Sequence, residues 1–313
     1  MKNLNLTISP WSDYELLDSG NNRKLERFGK FILIRPETQA IWESRRPELW
    51  KKADAEFVRS GEKGEWRSGA KKLPESWELA WHDITFSVRL TLFKHTGVFP
   101  EQAANWEWLR EKVHALDKPN VLNLFGYTGI ATAVAAKHGA KVTHVDASKQ
   151  SNTWAKENAE RSGVPAGAVR FLLDDALKFV EREVRRGAVY DGIILDPPAF
   201  GRGAKGEVWH IEEHLPKLLA SLEKIFSKKS GAFFLLNGYA AGYSPQSFLQ
   251  AIEGVFPEKI SAGLPSVAFP AFAAEAAALA EEAAKEGEFG ELHIPESNSK
   301  RVIPAGIYVR FVR

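Results

Sequence analysis

The run VLNLFGYTG, Val121 to Gly129, constrains this chain more than any other segment. It is a short apolar strand that breaks at Gly126, turns through Gly129 and opens a helix of small and apolar residues from Ile130 to His138. A glycine-bearing turn of this kind lets backbone amides approach a ligand with no side chain in the way. Seventeen residues beyond Gly129 the next strand, KVTHVD, ends in Asp146, and fifty residues after that YDGIILDPPAF ends its own apolar run in Asp196. Strand, turn and helix repeated in this order predict an α/β fold with a doubly wound, mostly parallel sheet. In such a sheet, ligands lie outside the carboxyl ends of the strands, where both acids would sit.

The glycine spacing bears on what that ligand is. A dinucleotide fingerprint needs three glycines so that a pyrophosphate can rest on the helix start. Here Gly126 and Gly129 are followed by Ile130 and Ala131, which leaves the cradle incomplete. S-adenosylmethionine carries no phosphate and tolerates a looser turn, while Asp146 is placed to hold a ribose diol in either case. FLLDDAL repeats the layout of strand, acid and helix, making Asp175 a candidate for an adenine amino group, with Asp174 as its neighbour; the ordinary reading of an acid there is a helix N-cap. Pro197 and Pro198 cannot continue a sheet and fix the turn after Asp196.

With these motifs in view, the chain resembles the class I S-adenosylmethionine-dependent methyltransferases, and among them the branch that modifies bases of large-subunit ribosomal RNA. Three segments carry the resemblance: FKHTGVFPEQ (Phe93 to Gln102), the NLFGYTG and VDAS pair, and LDPPAF. It is strong from Lys94 to about Asn237 and weaker toward both ends. The resemblance implies a Rossmann-like fold and S-adenosylmethionine as cofactor. Thr96, Phe99 and Gln102 would close over the cofactor, and Asn123, Phe125, Gly126, Tyr127 and Gly129 would line its methionine end. Asp146, with Ala147 and Ser148, would take the ribose, and Asp175 with Ala176 the adenine. Asp196 and Pro197 would face the transferable methyl. Taken without it, FKHTGVFPEQ is a turn leading into the helix AANWEWLREKV.

The chain contains no cysteine. Methylating carbon 5 of a pyrimidine requires a thiolate adduct, because that carbon is not nucleophilic until a side chain has added beside it. Relatives making 5-methylcytosine place a cysteine after the fifth strand, where this chain reads FFLLNGYAAGYSP; nitrogen and oxygen acceptors remain. For an exocyclic amine, Asp196 can accept the hydrogens while Phe200 stacks on the base, although Ala199 separates Phe200 from the prolines. A ring nitrogen would need mainly alignment. Arg202, Lys205 and Asn237 are the candidate substrate contacts. The expected function is methylation of a nitrogen of a ribosomal RNA base. The alternatives are a methyltransferase of a small molecule or protein side chain, and an inactive cofactor-binding module in ribosome assembly.

Composition limits the rest. The formal net charge of +2 is modest for a nucleic-acid binder. Local basic clusters at Arg45 and Arg46, Arg67 with Lys71 and Lys72, Arg185 and Arg186, and Arg202 with Lys205 read first as solvated surface. His210 and His214 are four residues apart without a third ligand, so no metal is expected. No apolar run approaches the roughly 20 residues of a membrane span and no signal peptide opens the chain, so the expected location is the cytoplasm. The chain divides near residue 100. Residues 1–100 read as a small β-rich domain that recognises substrate or covers the cofactor, with Gly61 to Lys72 as a surface loop; residues 101–313 form the catalytic domain. Strands are expected at Val121–Phe125, Lys141–Asp146, Val169–Leu173, Tyr190–Asp196 and Ala232–Asn237, with the final IYVRFV as an antiparallel edge strand. The alanine and glutamate stretch Ala271 to Glu288 reads as an exposed helix.

Overall fold

A computed structural model describes residues 1–60, 63–69, 73–203, 206–238, 242–256 and 287–313. Its centre is a nine-stranded sheet. From one edge, Val169–Leu173, Lys141–Asp146, Asn120–Leu124, Gly192–Leu195 and Phe233–Gly238 lie side by side and parallel. Chain order runs outward in one direction from Asn120–Leu124 and then jumps back past it to Gly192–Leu195. The switch point of the sheet therefore falls between those two strands, the place where ligands bind in open α/β sheets.

Alternation of side chains along the strands divides the apolar core between the two faces. Val121 packs with Trp106, Leu109, Val113, Ala133 and Val134 from the helices Ala103–His114 and Ile130–Lys137. Leu122 and Leu124 point the other way, onto Phe179 and Val180 of Ala176–Arg185, Leu215, Leu218 and Leu219 of Ile211–Ile225, and Phe248 of Pro245–Glu253. Helices covering both faces explain why the parallel strands are nearly continuous apolar runs.

Two expectations are corrected here. Val302–Val312 is antiparallel to Phe233–Gly238 but is not an edge, because Gly287–Pro295 pairs with its other side. The cause is its length and burial: eleven residues, most of them buried, leave a row of backbone groups that need partners on both sides. Gly287 and Glu288, expected at the end of a helix, open that partner strand; residues 271–286 lie outside the described residues. Gly61 to Lys72 is also not simply a loop. Lys63–Ser68 pairs antiparallel with Ala55–Ser60, its Trp66 packing on Phe57, whereas residues 61, 62 and 70–72 are outside the described residues.

Ahead of the central sheet, Tyr14–Gly20, Arg23–Phe28, Phe31–Pro36, Ala55–Ser60 and Lys63–Ser68 form a five-stranded sheet, and Trp77–Trp81 pairs with Ile84–Val88 in a hairpin. Its polar centre is Glu26, fully buried and held by Arg35 through two hydrogen bonds of 2.7 Å, with the Tyr14 hydroxyl donating at 2.7 Å. Burial alone would raise the Glu26 carboxyl, but Arg35 and Lys24 outweigh it and hold it at about 2. Arg35 also donates to the Lys94 carbonyl, tying this sheet to the segment 94–102. Lys2–Asn3 and Leu6–Thr7, the first residues of the chain, pair with Gly287–Pro295 on the central sheet. Among the described residues no helix is long and apolar enough to cross a membrane.

Candidate active site

A cavity of about 1010 Å³ opens at the carboxyl ends of the parallel strands and takes in the switch point. Its centre is the glycine turn. Gly126 donates to the Val145 carbonyl and Gly129 to that of Gly126. Phe125 (φ 54°), Tyr127 (φ 48°) and Gly129 (φ 76°) are all left-handed. For two aromatic residues that conformation costs about 1–3 kcal/mol each, so the surroundings must impose it. They do so through Asp146, whose Oδ2 accepts the Tyr127 amide at 2.9 Å, and through rings: Trp209 packs on Phe125 at 4.8 Å and Phe99 on Tyr127 at 5.7 Å. Beneath the turn lies a polar relay in which Asn123 Nδ2 donates to Thr132 Oγ1 at 2.8 Å, and that hydroxyl in turn meets buried His144 Nδ1 at 2.8 Å. Burial lowers the His144 pKa to about 3, so the ring is neutral. It occupies the space a side chain on Gly126 would need, since a Cβ there would lie 2.3 Å from its Cε1.

Asp146 ends its strand in the cavity wall. Its Oδ1 accepts the Ser148 amide at 2.8 Å, which together with the Tyr127 contact fixes the carboxylate and leaves lone pairs directed at the cavity. Burial outweighs those two hydrogen bonds and raises its pKa. Ala147 and Ser148 line the same wall, and Ser148 caps the helix Lys149–Arg161 by accepting the Ser151 amide. Asp174 and Asp175 follow on the next strand end. Asp174 is paired with Arg182, while Asp175 caps Ala176–Arg185 by accepting the Lys178 amide on Oδ1; both also line the cavity, as does Ala176. The ordinary capping role of Asp175 is therefore present, and it leaves Oδ2 available.

On the other side of the turn stands Asp196. Its carboxyl touches the cavity on one face and protein on the others, and it accepts no hydrogen bond among the described residues. Burial without a compensating charge pushes its pKa up to about 7. Pro197 is buried, and the Pro198 carbonyl is held by Trp209 Nε1 at 2.7 Å. Gln102 and Asn237 face this end, both hydrogen-bonded to Asn105. The structure thus gathers around one cavity Phe99, Gln102, Asn123, Phe125, Gly126, Tyr127, Asp146, Ala147, Ser148, Asp175, Ala176, Asp196, Pro197, Arg202 and Asn237.

Three predicted residues do not line it. Thr96 is completely buried behind the wall; Gly129 lies under it, where a Cβ would meet Ala155 at 2.7 Å; and Phe200 is half exposed on the short strand Phe200–Arg202, its ring against His210. Lys205 lies outside the described residues. Sequence reasoning missed several residues of the wall. Trp154 packs under Gly97 and donates to Ser87, with the Arg89 guanidinium 3.7 Å above its ring. Trp209 braces both Phe125 and Pro198, and Trp66 and Asn105 are also part of the lining. Trp154 was detectable as the only aromatic residue in Lys149–Arg161; the other three carry no local signal.

A fixed carboxylate for a diol, two acids at the next strand end for an amine, and an apolar floor of Ile130, Val145 and Trp154 between them fit the adenosine of S-adenosylmethionine. The family model of the S-adenosylmethionine-dependent methyltransferases matches residues 52–257. The chain belongs to that family. The methyltransferase is similar over its whole length to a SAM-dependent methyltransferase from Agrobacterium tumefaciens, with 37% identity, a TM-score of 0.85 and 96% of that chain covered. It shares the fold alone with SMU.776, solved with S-adenosylhomocysteine (SAH), at 18% identity and a TM-score of 0.66 over 97% of this chain and 76% of that one. Among curated relatives, it is 32% identical over 154 residues to the Shewanella frigidimarina ribosomal RNA large subunit methyltransferase K/L, and 36% identical over 146 residues to that of Shewanella amazonensis. Those matches take in 49% and 46% of this chain but span only about a fifth of the relatives' length, 21% and 20%.

Proposed function

We propose that this methyltransferase acts on a nitrogen of a base in ribosomal RNA, with Asp196 and Phe200 positioning the acceptor. The observation that carries the reading is Asp196: a carboxyl desolvated to about 7, with no hydrogen-bond partner among the described residues, at the cavity end opposite the acids that suit adenosine. When bound, S-adenosylmethionine supplies an electrophilic methyl group. Ionised Asp196 accepts hydrogens of the acceptor nitrogen and turns its lone pair toward that methyl, while Ile194, Pro197 and Leu235 keep water from the same end. Neighbouring Ala199 and Gly201 line the cavity, so Phe200 stands at the rim, where its exposed ring can stack on an entering base; Arg202 and Lys205 are the proposed phosphate contacts. The absence of cysteine argues for nitrogen over a pyrimidine carbon, and the names of the curated relatives support ribosomal RNA.

The division at residue 100 belongs to the same proposal. Residues 1–100 supply Trp66, Arg89 and Phe99 as a cover over the cofactor and a grip on substrate, and residues 101–313 supply the chemistry. Asp196→Ala tests the catalytic part: it should abolish transfer and leave SAH affinity unchanged, and transfer at the wild-type rate would remove Asp196 from the reaction.

A further inference from the structure

Arg310 lies on the antiparallel strand behind the cavity, 7% exposed, with Nε and Nη2 on Glu288 Oε2 at 3.0 and 2.7 Å. Its Nη1 reaches Asn105 at 3.2 Å. A guanidinium only donates, so the Asn105 atom facing it must be the oxygen. That turns Asn105 Nδ2 the other way, where it donates to Gln102 at 3.1 Å and to Asn237 at 2.8 Å. By the same reasoning, both of those contacts are amide oxygens. The orientations of three carboxamides are thus dictated in sequence by one buried cation. Gln102 Nε2 and Asn237 Nδ2 are left over; both residues line the cavity, and neither nitrogen donates a hydrogen bond among the described residues. Asn237 is 4% exposed and what remains accessible opens on the cavity, so an acceptor for its amide nitrogen would have to come from a ligand or water there.

The register shows where these donors act. Leu236 pairs with Leu195, which places Asn237 beside Asp196, and the strand order puts it on the side away from Asp146. This is the far side of Asp196 from the proposed ribose site. We infer that Asn105 is a positioning residue that locks Asn237 and Gln102, the latter in place of the cofactor contact its motif suggested, as paired donors to a carbonyl oxygen of the acceptor base. The inference rests on the reading of that acceptor as an RNA base, and it makes the site selective for guanine, cytosine or uracil over adenine, which has no carbonyl.

Asn105→Asp tests it with almost no change of shape. Arg310 keeps an acceptor, but Gln102 and Asn237 now face a carboxylate, so both carboxamides rotate and present oxygen to the cavity. With undermethylated large-subunit ribosomal RNA as the probe, kcat/KM should fall at least about tenfold for the two hydrogen bonds lost, mostly through KM, with SAH affinity and melting temperature unchanged. Asn237→Ala, which leaves Arg310 and Asn105 in place, should show the same split with a smaller loss and serves if the first variant folds poorly. Wild-type label should be in guanosine, cytidine or uridine. Label in adenosine, wild-type kcat/KM in both variants, or a loss confined to SAH affinity would overturn the inference while leaving the RNA reading intact. Wild-type protein that leaves the RNA unlabelled would remove that reading, and this inference with it.

Discussion

Replacing Asp196 by Asn should make the protein more stable, by an amount that grows with pH. The Asp196 pKa rises from 3.8 to about 7 in the folded chain because burial disfavours its charge. Between those values the folded state binds more protons than the unfolded one, so stability falls as pH rises through this window and levels off above 7. At 1.36 kcal/mol per unit, the full cost of the ionised carboxylate at pH 8 is about 4 kcal/mol, and at pH 5 it is about 1.7 kcal/mol. One face of the carboxyl opens on the cavity, where water screens it, and about half of each figure is the reasonable expectation. Urea denaturation of Asp196→Asn and wild type should therefore show a gain of about 2 kcal/mol at pH 8 that shrinks to about 1 kcal/mol at pH 5. Asn would at the same time lose the ionised acceptor, so transfer should be lost as stability is gained, a trade seen where a site holds a charge for function. A gain independent of pH, or a variant less stable than wild type at pH 8, would refute the assignment of Asp196 as a desolvated, unpartnered carboxylate.

Other expectations follow from the same geometry. Asp146→Ala removes the acceptor for the Tyr127 and Ser148 amides as well as the proposed ribose contact, so SAH affinity measured by calorimetry should fall at least about 100-fold, and an unchanged Kd would exclude Asp146 from the cofactor site. Gly126→Ala drives a Cβ into the His144 ring and should cost about 1–3 kcal/mol; adding His144→Ala should return at least about 1 kcal/mol of it, and simple additivity of the two losses would show that the ring is not the obstacle. Arg35→Met leaves Glu26 buried with its main counter-charge gone, and denaturation at pH 7 should register a loss of about 3–5 kcal/mol; a loss below about 1 kcal/mol would mean that Lys24 and Tyr14 suffice. The wild-type Glu26 pair itself should weaken only toward acid, as pH drops below the ordinary carboxylate range toward about 2.

What could be read from the chain divides along physical lines. The parallel strands were legible because burial makes most of them short, largely apolar runs, Gly192–Leu195 most clearly, and the acids Asp146, Asp175 and Asp196 were legible because each ends or closely follows such a strand. Val302–Val312 looked like an edge because its partner, Gly287–Pro295, follows an alanine and glutamate stretch that masks the change of period from helix to strand. Phe200 was drawn to the cavity by its distance from the prolines, but the turn they set leads into a hairpin with Val208–His210 that carries the ring to the rim. Trp66 reaches the cavity from an element distant in sequence from the motifs, whereas Asn105 lies just past FKHTGVFPEQ, in the helix that the segment leads into. The role of Asn105 depends on Arg310, 205 positions away, a relation that no local pattern carries.

Transfer of labelled methyl from S-adenosylmethionine tests the central claim most directly. The acceptors would be undermethylated large-subunit ribosomal RNA, assembled subunits, total protein and a metabolite extract in parallel, followed by nucleoside analysis. Label on a ring or exocyclic nitrogen of an RNA base is the predicted result. Label confined to protein or small molecules would contradict the proposed acceptor while leaving the methyltransferase fold and its cofactor site in place.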